Sequence, residues 1–284
     1  MINAALVVEG GAFRGLYAGG VVDSLLKHDI HLDTTVGISA GALCACNYLS
    51  RQYHRTLQIN QLYRLDKRYV GREAVKNSGG IIDVSFVFSE EVEKKFPLDR
   101  GQFYGTDQKF YIVATDCNSG RPVYFERKEC DLSQAVRAST SMPMMMPMIP
   151  IGDSEYLDGG ITDYNPVLWA MHQGFEKIVV VCSRPLTHRK SEPSPAERAM
   201  VKMRYKGYPK LIASMARSSD LYNRTRLILR QLEREGKIFV LQPSDPELSV
   251  SRLERDVDKL TAWYLLGERD TDRRMEELKA YLEI

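Results

Sequence analysis

The chain is short of cysteine, and what it has is not paired: Cys44, Cys46, Cys117, Cys130 and Cys182 are five among 284 residues, with no C-x-x-C spacing. An odd number argues against a disulfide framework and fits a reducing compartment. Cys44 and Cys46 lie close together in a predicted helix, where their side chains diverge, so ordinary buried thiols are expected rather than a metal pair. No stretch approaches the ~18 consecutive apolar residues of a transmembrane helix. The opening MINAALVVEGG lacks a basic leader, so no signal peptide is expected. Together these absences predict a cytoplasmic protein whose membrane contact is at most peripheral, at the inner face. Charge of one sign is lacking too: 39 Lys and Arg against 37 Asp and Glu leave a net +2, too little to imply nucleic acid as a partner.

What is present is a globular composition, 44% hydrophobic and 27% charged, in a length that suits one large α/β domain. Ala4 to Val8 reads as a buried strand, followed by a glycine-rich turn and a helix over residues 13–28. The pattern repeats as a short strand over 34–36, then GISAG, then a small-residue helix over 40–49. Two successive strand-turn-helix units predict a largely parallel sheet. KFYIVAT and PVYF predict a hairpin across DCNSGR, Asn165 and Pro166 predict a helix start with Asn165 as its cap, and KIVVVC at 177–182 reads as a strand buried on both faces. Residues 189–235 turn helical and basic, 237–242 supply one more strand, and the tail is an amphipathic helix pair.

Gly37-Ile38-Ser39-Ala40-Gly41 is a G-x-S-x-G pattern, which exposes a serine hydroxyl on a tight strand-to-helix turn. The helix start beyond it favours negative charge developing near that oxygen. Gly10-Gly11-Ala12-Phe13-Arg14-Gly15 also follows a strand and opens a helix, so its backbone N–H groups form an anion-binding row. That row suits an oxyanion hole; a dinucleotide fingerprint fits it poorly, because Ala12 replaces the middle glycine. A serine nucleophile needs a base. His172 and His188 read as surface residues, whereas Asp158, after EYL and before Gly159 and Gly160, stands on a rigid turn that another backbone can approach. Asp163 and Asp116 remain alternatives by chemistry. Met142, Met144, Met145, Met146 and Met148 form a loop that either walls an acyl chain or packs on the core. The basic run with Arg198, Lys202, Arg204, Lys206, Lys210 and Arg217 is either a rest for anionic headgroups or a solvated helix face.

In order, EGGAFRG, GISAG, ATDCNSGRPVYF, RASTSMPMMMPMIP and LDGGITDYNPV resemble the landmarks of patatin-like phospholipases over residues 4–182; the tail is more loosely similar to small bacterial members. The resemblance implies a three-layer α/β/α fold with a largely parallel central sheet, a patatin-like core over 4–182, and a mainly helical extension over 183–284 packed on the same domain. It implies a Ser-Asp dyad, with Ser39 as nucleophile and Asp158 as base, and an oxyanion hole from the backbone of Gly10, Gly11 and Ala12. Arg14 then holds the loop or meets a lipid phosphate, and Gly15, Gly37, Gly41, Gly159 and Gly160 support the turns. The activity implied is a serine lipid acyl hydrolase acting on carboxylic esters, with no metal or cofactor and a lipid or acyl ester as its partner. A non-catalytic lipid- or nucleotide-binding protein on the same fold, or an acyltransferase, is the alternative.

Overall fold

Ile2–Val8 forms strand β1, and its residues divide by parity, as the two-residue period of a strand requires. Ala4, Leu6 and Val8 enter one apolar layer, and Ala5 and Val7 the other. A computed structural model describes residues 1–284. Its strands are β1, β2 (Leu32–Ile38), β3 (Lys109–Asp116), β4 (Arg121–Glu126), β5 (Ile149–Ile151), β6 (Ser154–Asp158), β7 (Ile178–Val181) and β8 (Phe239–Leu241). They form one eight-stranded sheet in the order β5-β6-β3-β2-β1-β7-β8, with β4 also paired to β3. The run β8-β7-β1-β2-β3 is parallel, and β4, β5 and β6 pair antiparallel.

The same parity continues across β7 and β8, whose Val179, Val181, Phe239 and Leu241 join one layer while Ile178, Val180 and Val240 join the other. Helices cover both faces, giving three layers. On the larger side lie α1 (Leu16–Lys27), α2 (Ala40–Leu49) and the late helix Val257–Arg273. On the other lie Val167–His172 and the long helix Pro209–Arg234, through Leu229 and Leu232. The fold is thus the α/β architecture with a largely parallel central sheet that the two strand-turn-helix units predict.

At the crossing of α1 with the late helix, a Cβ on Gly267 would collide with the Tyr17 carbonyl, so only glycine permits this approach. The helix start expected at Asn165 is corrected: Pro166 is the residue before Val167, and Asn165 accepts the Val167 N–H through its backbone carbonyl at 2.8 Å while its side chain makes no hydrogen bond. No helix is long and apolar enough to cross a membrane.

Candidate active site

Ser39 is the first residue beyond β2, at φ 54 and ψ −126, a conformation that suits the first central position of a type II′ turn and strains any residue with a Cβ. Three contacts impose it. The Ser39 N–H donates to the buried Ser139 Oγ at 2.8 Å. The Ala42 N–H closes onto the Ser39 carbonyl at 2.9 Å. Gly10 lies so close that a Cβ there would sit 2.6 Å from the Ser39 Cβ. Gly15 packs against Ala40, Gly37 against Ala42, and Gly41 against the Val8 carbonyl.

The sheet register brings Asp158 to this serine. β2 runs along one edge of β3 as far as Ile38, opposite Val113; β6 takes over the same edge at the next residue, Asp158 opposite Ala114. Because β2 is parallel and β6 antiparallel to β3, their C-terminal ends meet head-on, and Ser39 and Asp158 line one cleft. Asp158 is buried, its N–H donates to the Ser141 carbonyl at 2.8 Å, and its Oδ1 accepts the Gly160 N–H at 2.8 Å. Gly159 lies against the Val113 carbonyl. Burial pushes the Asp158 carboxyl above the usual carboxylate range, while the nearby Ser39 hydroxyl, the Gly160 N–H and the cations Lys190 and Arg252 pull it back. Ser39 and Asp158 are near neighbours without an aligned hydrogen bond.

Gly10, Gly11 and Ala12 line the same cleft, and none of their backbone N–H groups is engaged within the protein. Nor is the Ala40 N–H at the start of α2. Ala12 carries a left-handed φ of 51, the strain accepted where the sequence lacks a third glycine. The loop is fastened from elsewhere in the chain. Ser183 donates through Oγ to the Gly10 carbonyl at 2.6 Å and through N–H to Glu9 Oε2 at 2.8 Å. Glu9 also accepts from the Arg226 guanidinium, through Oε1 at 2.6 Å and Oε2 at 2.8 Å, inside the protein. Although burial opposes its charge, the Glu9 carboxylate holds Arg226 well above its ordinary value. Arg14 is buried, its carbonyl accepts Trp263 Nε1–H at 2.8 Å, and its guanidinium lines the cleft.

Ser39 stands between two cavities. One, mainly apolar, is lined by Phe13, Leu16, Leu43, Ile59, Val87 and Met146. The other is the cleft of about 600 Å³ that holds Asp158 and the basic side chains Arg14, Arg184, Lys190 and Arg252. Met142 reaches both cavities, Met144 and Met145 line the cleft, Met146 belongs also to the core, and Met148 packs beside Tyr205 and Leu211. The loop therefore both lines the cavities and packs on apolar clusters. The six basic residues of 198–217 are all exposed.

Other candidates lie elsewhere. His172 is exposed; His188 is half-buried rather than on the surface, where burial and Arg184 push it down to about 4, and it lines neither cavity. Asp163 accepts from Tyr124 Oη at 2.6 Å, and Asp116 closes its hairpin on the Ser119 N–H. All five cysteines are free, and no cluster of His, Cys, Asp and Glu is arranged to hold a metal ion. Sequence reasoning missed Ser139, Ser183, Glu9 and Arg226. Ser139 lies inside the RASTSMP landmark, but nothing local marks Arg226, 217 residues from Glu9.

Two family models match: patatin-like phospholipase over residues 6–171, and a domain of unknown function over residues 208–283. Among curated proteins, the uncharacterized protein YjjU of Escherichia coli is 27% identical over 64% of this chain and 52% of its own length. Lysophospholipase NTE1 of Debaryomyces hansenii is 26% identical over 63% of this chain and 12% of its own. The probable lipid hydrolase 463L of Invertebrate iridescent virus 6 is 25% identical over 57% and 61%. The chain thus spans about half of the first relative and far less of the second. Among solved structures, VipD of Legionella pneumophila superposes with a TM-score of 0.47 at 12% identity, over 99% of this chain and 67% of that one. The patatin-like phospholipase match covers more than half of the sequence, and the chain belongs to that family.

Proposed function

We propose that the protein is a serine lipid acyl hydrolase working through a Ser39-Asp158 dyad. The observation that carries this reading is the meeting of β2 and β6 on one edge of β3, which sets a strained serine beside a buried carboxylate and the unengaged N–H groups of Gly10, Gly11 and Ala12. In the first half-reaction Ser39 Oγ attacks the acyl carbonyl as its proton passes to Asp158. The carbonyl oxygen gains the negative charge, and the backbone donors hold it. Asp158 then gives the proton to the departing alcohol, leaving an acyl-Ser39 ester. In the second half, water delivers a proton to Asp158 and its oxygen to the acyl carbon, and the Ser39 oxygen regains the proton as the fatty acid leaves. The raised pKa of Asp158 makes it a stronger proton acceptor than a solvent-exposed aspartate. The lysophospholipase and lipid hydrolase relatives support acyl lipids as the substrate class. The exposed basic helix Pro195–Arg204 beside the cleft is the surface on which this reading sets contact with anionic lipid.

Hydrolysis of a chain-length series of p-nitrophenyl esters and lysophospholipids by wild type, Ser39→Ala and Asp158→Asn tests the reading. Loss of either dyad member is expected to lower kcat by ~10³-fold or more, and a fluorophosphonate probe labels wild type but not Ser39→Ala. Full activity in Asp158→Asn removes the dyad.

A further inference from the structure

We propose that Arg184, Lys190 and Arg252, together with Arg14, form a headgroup subsite selecting acyl lipids whose phosphate carries no compensating cationic amine. This deepens the hydrolase reading and rests on it. Three of these four cations lie outside the family-matched segment 6–171, and Arg252 belongs to the region matched only as a domain of unknown function.

The cleft contains more positive charge than it neutralises. Its acidic side chains are Glu9, Asp158 and Glu197. Glu9 is committed to Arg226, Glu197 caps its own helix through Ser194, and Asp158 belongs to the dyad. None of the four cleft cations forms an ion pair with a carboxylate, and the buried Arg14 Nε has no partner at all. Lys190 Nζ stands 3.4 Å from the Tyr164 ring and 4.4 Å from the Tyr222 ring, held by aromatic faces instead of an anion. The cations bear on one another. Burial, then Arg184 and Arg252, push Arg14 down to about 10; burial, then Arg252, push Lys190 down to about 7.

The positions are built, not incidental. Lys190 is fixed through its backbone, which donates to and accepts from the Asn223 amide at 2.8 and 2.9 Å. The Arg252 carbonyl accepts the Phe13 N–H at 3.3 Å, so this exposed arginine is anchored to the loop of the oxyanion donors. Ser39 lies between this cleft and the apolar pocket, so an ester bound across it sends its acyl chain one way and its headgroup to the cations. A phosphate there gains charge-assisted hydrogen bonds, and guanidinium forks match its geometry. A choline or ethanolamine headgroup brings its own cation into the same field and loses the advantage.

The test compares acyl-matched lysophosphatidic acid, lysophosphatidylcholine and monoacylglycerol as substrates, and their non-hydrolysable ether analogues as ligands of Ser39→Ala by calorimetry. In wild type, kcat/KM for lysophosphatidic acid is expected to exceed that for the choline lipid by about tenfold or more, the worth of one charge-assisted hydrogen bond. Arg252→Gln and Lys190→Met each lower that ratio, chiefly through KM, and Arg252→Gln in the Ser39→Ala background weakens the phosphate ether analogue but not the neutral one. Equal rates on all three headgroups, or an unchanged ratio in both variants, overturns the subsite while leaving the hydrolase intact. Discriminating binding of the ether analogues with no hydrolysis of any ester supports the subsite and removes the hydrolase reading. Competition by inorganic phosphate at the affinity of the ether lipid assigns the cleft to a free anion and overturns the headgroup assignment.

Discussion

Ser39 is held in a conformation that its own side chain disfavours, and the restraint has an identifiable centre in Ser139. Its Oγ is the only acceptor for the buried Ser39 N–H, reached across 100 residues of sequence. Removing it leaves a desolvated donor beside the Ser39 hydroxyl, at a cost of about 1–3 kcal/mol. Part of that cost is relieved by letting the turn relax, which moves Oγ away from both Asp158 and the Gly10–Ala12 donors. Ser139→Ala is therefore expected to lower kcat by ~10–100-fold on short p-nitrophenyl esters with little change in KM, because misplacement by a fraction of an ångström acts on the transition state more than on binding. Wild-type kcat in Ser139→Ala means that the turn is fixed by Gly10 and α2 alone.

Among the elements, α1 and the late helix Val257–Arg273 approach closely through Gly20 and Gly267, and they bury ionisable groups between them. Asp23 on α1 is 1% exposed and accepts the Tyr264 hydroxyl and, at 2.8 Å, the His54 N–H. Burial raises it to about 7 against the pull of those two hydrogen bonds. A folded pKa above the unfolded one means that folding favours the protonated acid. The contribution is whole below about pH 4, where both states are protonated, and is lost as pH rises through about 7. Urea stability is thus expected to fall between about pH 4 and pH 7, and Asp23→Asn, which keeps an acceptor for both donors, flattens that slope. A slope of the same size in the variant assigns the dependence to other groups.

This pair of helices also marks how far the sequence can be read. The strands around residues 4–8 and 34–36 and helix 40–49 follow from apolar runs that end at glycine turns, because burial on both faces and tight turns are local demands on composition. Ser39, Asp158 and Gly10–Ala12 stand out as candidates for the same reason: each sits on such a turn. The register that brings Ser39 to Asp158 does not, since it depends on which edge of β3 two distant strands share. The short elements Arg55–Tyr63 and Val84–Phe88, which bring Ile59 and Val87 to the apolar pocket, lack a sustained period of their own. Asn165 misled because a residue fit to cap spent its carbonyl instead.

At the scale of the whole molecule, the loop over residues 9–14 is tied to four remote places: Ser183, Arg226, Arg252 and Trp263. The family-matched segment thus depends on the last hundred residues for the shape of its candidate oxyanion hole, as β8 also completes its sheet edge. The strongest single tie is the ion pair of Glu9 and Arg226, both almost without solvent contact. A buried pair is often no more stable than an apolar replacement, but breaking one side strands the other charge, which costs about 3–5 kcal/mol. Arg226→Met is accordingly expected to lose about that much in urea unfolding, whereas Glu9→Gln with Arg226→Met recovers a good part of it, since no bare carboxylate remains. The hydrolysis rate separates the two roles of the tie. The double variant regains stability, yet Ser183 has lost the charged partner that orders it against Gly10, so ester hydrolysis stays below wild type. A double variant no more stable than Arg226→Met would show that the pair is packing rather than charge, and one with full activity would show that the loop keeps its shape through Ser183, Arg252 and Trp263 alone.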